Sequence, residues 1–204
     1  DFKAFIATLT LAVQNGDVPM VRIDDAVRRI LQAKVWLGMY SNPFGLPETV
    51  SSVGAEAHRN VARTAVHKSV VLLRNQLGAL PLDKGARILV GGRGGDDIGM
   101  QCGGWTIDWQ GSHGAITAGK SIVTGMRELV DDPSQIAYSA DGSFAGGIKI
   151  KTGVAVVGET PYAEGLGDDG SLTLSQEDID VVNRMRVQCE TLIIVLLSGR
   201  PLIM

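Results

Sequence analysis

An α/β fold built on a mostly parallel sheet is predicted by three features of this 204-residue chain. Short runs at Arg87–Gly91, Val154–Val157 and Thr191–Leu197 are apolar without alternation, as expected of strands covered on both faces. Segments of helical period stand between them, and strand–helix–strand order repeated along a chain favours parallel pairing with helices layered on the sheet. Two of the strands run into long, polar, glycine-rich loops, a poor way to build a core and a common way to build a site.

Taken in order, residues 1–38 predict two helices. Phe5, Ile6, Leu9 and Val13, then Ile23, Ala26, Val27, Ile30, Leu31 and Val35, recur every three or four residues, and Asn15-Gly16-Asp17 with Pro19 separates the two sets. Helices this short cannot bury their apolar stripes on each other alone and call for another body. Residues 41–57, rich in proline and turn residues, predict a linker. Beyond it the sequence predicts a helix over Glu56–Val66, a short strand over Ser69–Leu73, the strand at Arg87–Gly91 and a helix over Ile116–Leu129. Strands at Gln135–Ser139 and Val154–Val157 follow. Ser175 and Asp178 have capping-box spacing at the head of a helix, and Thr191–Leu197 is the last strand.

Composition narrows the function classes. Hydrophobic residues make up 45% and charged residues 20%, with a formal net charge of −3, and the basic residues form no stripe that could neutralise phosphates. Nucleic acid is therefore not expected as a partner. Neither is a membrane, since the longest apolar run, Leu192–Leu197, suits only a buried strand. No signal-peptide pattern opens the chain, which is expected to begin after processing or within a longer protein. Cys102 and Cys189 are expected as separate thiols. His58, His67 and His113 lack metal-ligand spacing, so no metal and no cofactor are called for. Gly92-Arg93-Gly94-Gly95-Asp96-Asp97 places Asp97 where a dinucleotide fingerprint needs its third glycine, which argues against a nucleotide-binding, flavodoxin-like reading.

The chemistry-bearing residues lie in the two loops. Trp105 and Trp109, two of three tryptophans, sit among glycines with no helical stripe to join. Flat indole faces match the C–H faces of a sugar ring, with Asp108 and Gln110 available for hydroxyls, so a binding platform is favoured over a plug. The second loop holds Glu159, Glu164, Asp168 and Asp169 directly after a buried strand. Crowded carboxylates can raise one another's pKa toward the range of a general acid. Composition alone does not separate that role from a solvated acidic turn or a calcium loop, although EF-hand spacing is absent. Ser198-Gly199-Arg200-Pro201 ends a strand and reads as a simple turn, the alternative being that it faces the site.

These blocks resemble glycoside hydrolase family 3, the β-glucan exohydrolases and β-glucosidases. Pro19–Leu31 is similar to the closing helix of that family's (β/α)8 barrel domain. His58–Arg63 and Lys68–Asn75 are similar to the entry of its second, α/β sandwich domain. Gln101–Gly111 is similar to its sugar-clamp loop, Gly158–Glu164 to its acid/base loop, and Ser198–Pro201 to a later strand end. The resemblance implies residues 1–40 as terminal barrel helices, 41–57 as linker and 58–204 as a sandwich domain incomplete at its C-terminus. It implies a retaining β-glucosidase acting on terminal β-D-glucosyl residues of a β-glucoside or β-glucan oligosaccharide. Glu164 would be the acid/base, Glu159 the fallback, and Trp105 and Trp109 the aromatic clamp. The nucleophilic Asp and the glucose-gripping half of the pocket would come from the missing barrel domain, so the polypeptide alone is expected to be inactive. Export to the periplasm or outside the cell is the family's habit. The Arg93-Gly94-Gly95 stretch departs from the family pattern and is expected to form a looser turn. The alternative reading is a non-catalytic carbohydrate-binding α/β domain.

Overall fold

The computed structural model describes residues 1–76, 78–146 and 149–203. They divide into two units, Asp1–Leu72 and a second that begins at Leu73. The first unit holds α1 (Phe2–Gln14), α2 (Met20–Trp36), a 3₁₀ turn at Pro47–Ser52 and α3 (Glu56–Ser69). Asp1 caps α1 by accepting from the Lys3 N–H, and Asp25 pairs with Arg28 and Arg29 along α2. None of the three helices buries a side chain; Phe5, Val21, Ile30 and Trp36 are all exposed.

The second unit is a four-stranded, wholly parallel sheet in the order β2-β1-β3-β4, with β1 (Ile88–Gly91), β2 (Ile136–Ser139), β3 (Ile150–Gly158) and β4 (Cys189–Leu197). The helices are α4 (Ile98–Cys102), α5 (Ile122–Leu129) and α6 (Gln176–Gln188). Side chains alternate across the sheet. Ile88, Val90, Val154 and Val156 pack with Val123 of α5, whereas Leu89, Ala155 and Val157 pack with Val181 and Met185 of α6. With a helix on each face, β1 and β3 have no solvent side, which is why their sequences run apolar without a break.

Several expectations fail for identifiable reasons. Residues 70–76 form no strand: Val70, Val71, Leu72 and Leu73 are 63–75% exposed, and no described strand offers them a ladder. α5 starts six residues later than predicted because the Ser121 backbone is extended and its hydroxyl takes the Thr124 N–H at 3.1 Å. Ser175 caps α6 as expected, but Asp178 does not return to the cap backbone. Its carboxylate accepts from the Ser175 hydroxyl at 2.9 Å and faces Arg93 at 3.5 Å. β4 has β3 as its one partner among the described residues and so lies at the sheet edge, yet it is covered on both faces as its sequence predicts, Ile193, Val195 and Leu197 packing on one side and Leu192 and Leu196 on the other. The Arg93–Gly95 stretch is a 3₁₀ turn with Gly94 and Gly95 buried, tight where a looser turn was expected. Cys102 and Cys189 are separate thiols.

Sheet order fixes where a ligand can sit. The chain leaves β1 for β2 on one side and returns to β3 on the other, so the connections diverge between β1 and β3. A crevice outside the carboxyl ends of two such strands is where open α/β sheets bind. Both of the loops singled out from the sequence start there.

Candidate functional site

The loop after β1 is closed at its base by one carboxylate. Asp97 Oδ1 accepts the N–H groups of Met100 and Gly114, each at 2.8 Å, while Oδ2 lies 2.8 Å from His113 Nδ1. Burial alone would raise the Asp97 pKa, but those two N–H groups and His113 outweigh it and hold the carboxyl below its usual range. Within the loop the Trp105 N–H donates to the Trp109 carbonyl at 3.0 Å. The turn so formed puts Trp105 and Ile107 at φ +62° and +68°. That region disfavours any L side chain, a β-branched one above all, and costs roughly 1–2 kcal/mol per residue.

This strained turn carries the indoles on its outside. Trp105 is 67% exposed and Trp109 52%, with ring centroids 6.3 Å apart and planes tilted by 53°. Each tryptophan keeps more than half of its surface open to solvent. Asp108 and Gln110, expected to be free for hydroxyls, are instead used within the protein. Asp108 accepts from the Gly111 N–H and the Ser112 hydroxyl, both at 2.8 Å. Gln110 reaches the second loop: its amide oxygen accepts the Ala163 N–H at 2.9 Å, and its amide nitrogen donates to the Glu164 carbonyl at 3.4 Å. The loops also touch at Gly104, where a Cβ would collide with the Tyr162 carbonyl oxygen, so only glycine fits.

The four carboxylates of the loop after β3 have different surroundings. Glu159, mostly buried, accepts from the Ser198 hydroxyl at 2.6 Å and the Tyr162 hydroxyl at 3.1 Å, and pairs with Arg200 at 2.9 Å. Asp169 accepts the Ser171 N–H and then its hydroxyl, both at 2.8 Å, which hold it below the usual carboxylate range, opposite to the rise that crowding alone would give. Glu164 lies in the exposed turn at the crest of the loop, and Asp168 follows it. Among the described residues, neither of these two carboxylates has a hydrogen-bond partner.

Ser198-Gly199-Arg200, which reads in the sequence as a simple turn, is the hub of this arrangement. The Arg200 guanidinium donates to the Gly167 carbonyl at 2.6 Å and lies 4.1 Å above the centre of the Tyr162 ring, besides pairing with Glu159. Burial opposes its charge, but Glu159 and Tyr162 outweigh that effect and hold its pKa above the ordinary arginine value. A cleft of about 430 Å³ lies between Met100–Gly104, Glu159–Tyr162 and Leu196–Gly199. The sequence marks the loop of Tyr162 and the strand-end turn of Ser198 and Arg200 but assigns none of the three a role. The signal was there: Arg200 follows the end of β4, so the rule that picked out the loops after β1 and β3 applies to it too. His58 and His67 lie on α3 of the first unit, and His113 braces the base of the tryptophan loop.

Residues 70–204 match the glycosyl hydrolase family 3 C-terminal domain. The lysosomal beta glucosidase of Dictyostelium discoideum is 30% identical over 98% of the chain, and the periplasmic beta-glucosidase of Salmonella typhimurium 26% identical over 93%. The crystal structure of an exo-1,3/1,4-beta-glucanase from a Pseudoalteromonas species superimposes on the whole chain with a TM-score of 0.82 at 34% identity. The chain spans 27%, 29% and 26% of those three proteins, respectively, so each relative extends well beyond the matched region.

Proposed function

This chain belongs to glycosyl hydrolase family 3 and carries that family's C-terminal domain, and on that premise we propose that it supplies the acid/base carboxylate and the aromatic sugar clamp of a retaining exo-acting β-glucosidase. The substrate is a β-glucoside or β-glucan oligosaccharide, cleaved at its terminal β-D-glucosyl residue. Glu164 gives its proton to the glycosidic oxygen as the C–O bond breaks, then takes one from the water that releases the sugar. An Asp of a barrel domain forms and loses the glycosyl bond, standing roughly 5–5.5 Å from Glu164 as retention requires. Trp105 and Trp109 stack on the sugar beyond the cleaved bond.

The observation that carries this reading is the Gln110 bridge, which joins the indole loop to the backbone of the carboxylate loop at Ala163 and Glu164. Glu164 is preferred to Glu159 because Glu159 is already occupied by Ser198, Tyr162 and Arg200. In the same reading, residues 1–40 are closing helices of the barrel, whose body would cover the exposed apolar faces of α1 and α2. The enzyme works outside the cytoplasm, as the name of the Salmonella relative states for that protein. The 204 residues alone are inactive, because the nucleophile lies on the barrel; hydrolysis of an aryl β-glucoside by this polypeptide alone would contradict that.

The test is Glu164→Gln in the full-length protein. Turnover is lost while calorimetry still detects sugar binding. Unchanged turnover removes Glu164 from the role, and sugar binding with no turnover in the unaltered full-length protein would favour a non-catalytic module.

A further inference from the structure

We infer that Arg200 is a positioning residue for the proton donor, fixing the crest on which Glu164 stands from both of its flanks. The inference rests on the acid/base reading of Glu164 and deepens it. Glu164 has no side-chain partner of its own among the described residues, so the position of its carboxyl depends on what holds the loop around it. Arg200 grips that loop at three points: it pairs with Glu159 at 2.9 Å at its start, stacks on Tyr162 at 4.1 Å just before the crest, and donates to the Gly167 carbonyl at 2.6 Å just after it. Ser198 adds a fourth tie, from the same turn, to Glu159 at 2.6 Å. One planar guanidinium can stack by its face and bond by its edge at the same time. A lysine ammonium offers a point charge and no face, so it could keep one of the three holds.

Two functions that the sequence leaves together are thereby divided. Glu159 anchors Arg200, and Glu164 performs the chemistry that the anchored loop presents. A general acid must be placed within ~0.5 Å of its productive position, and a displacement of ~1 Å can cost about 100-fold in rate. Loss of Arg200 should therefore act on proton delivery more than on sugar binding.

The experiment compares the full-length protein with its Arg200→Met, Arg200→Lys and Glu164→Gln variants on aryl β-glucosides ranging from phenyl to 2,4-dinitrophenyl. A dinitrophenolate departs without help, whereas a phenolate needs a proton. For Glu164→Gln and Arg200→Met, kcat/KM for the phenyl substrate falls by about 100-fold or more, while for the dinitrophenyl substrate it stays within about threefold. Arg200→Lys shows the same selective loss in smaller degree, and it carries the test if Arg200→Met fails to fold. An equal loss across all leaving groups in the Arg200 variants, or no loss in Arg200→Lys when Arg200→Met is unfolded, overturns the positioning role while leaving Glu164 in place. A flat response in Glu164→Gln overturns the acid assignment, and the role of Arg200 with it.

Discussion

Glu159 and Glu164 stand five residues apart on one loop, yet the protein treats them in opposite ways. At the strand end, Glu159 is nearly enclosed, and its oxygens meet two hydroxyls and a guanidinium. At the crest, Glu164 is exposed and its carboxyl is unpartnered among the described residues. A carboxylate tied to three donors is committed to structure, because any proton it gave would first have to displace a bond already made. One held only by its backbone, on a loop braced from both sides, is available to a substrate. Environment, and not residue type, separates the two.

The contrast can be tested from its largest effect downward. Glu164→Gln in the full-length protein should lower kcat on unactivated glucosides by ~10²–10⁴-fold, the usual worth of a general acid, with an unchanged melting temperature. Glu159→Gln should do the reverse. It removes the charge facing Arg200 and costs about 1–3 kcal/mol of stability, read by chemical denaturation, with any loss of rate tracking the loosened loop. If Glu159→Gln left stability untouched and abolished proton delivery, the two assignments would have to be exchanged.

A smaller effect is expected at the proposed clamp. Trp109→Ala removes an exposed indole face worth about 1–2 kcal/mol of stacking, so KM for oligosaccharides should rise roughly five- to thirtyfold with kcat nearly unchanged. Since 52% of Trp109 is open to solvent, stability should move little; a large fall in melting temperature would mean that the ring is a plug after all.

The smallest effect concerns pH. The Asp97 pKa is lowered in the folded protein, so its stabilisation is fully present above the ordinary carboxylate value, about 3.9, and is lost as pH falls through the lower folded value. Asp97→Asn should be less stable than the parent at pH 7, and thermal melts should show that gap closing below about pH 4. A gap constant with pH would remove the charge of Asp97 from the account.

How much of this was legible beforehand follows from the range of each interaction. The sheet and its helices could be read because burial on two faces writes unbroken apolar runs at β1 and β3. The same rule misled at residues 70–73, where apolar residues have no ladder to join. Local capping chemistry set the true start of α5 at Ser121, which the helical period of residues 116–129 conceals. The two loops declared themselves through tryptophans and carboxylates crowded after strand ends. The bonds that tie them together did not. Gln110 bonds across 53 residues to Ala163, and Ser198 across 39 residues to Glu159. Pairings of that range leave no periodic trace, so Gln110 looked free and Arg200 looked like part of a turn; Asp108, by contrast, is taken up locally by Gly111 and Ser112.

One measurement bears most directly on the division between the two glutamates. Glu164→Ala and Glu159→Ala variants of the full-length protein are each given 2,4-dinitrophenyl β-glucoside with and without sodium azide, a small nucleophile that needs no base. Azide should accelerate turnover of Glu164→Ala and yield β-glucosyl azide, the product of attack on a retained glycosyl-enzyme, while Glu159→Ala gains nothing. Rescue of Glu159→Ala, with none for Glu164→Ala, would contradict the account.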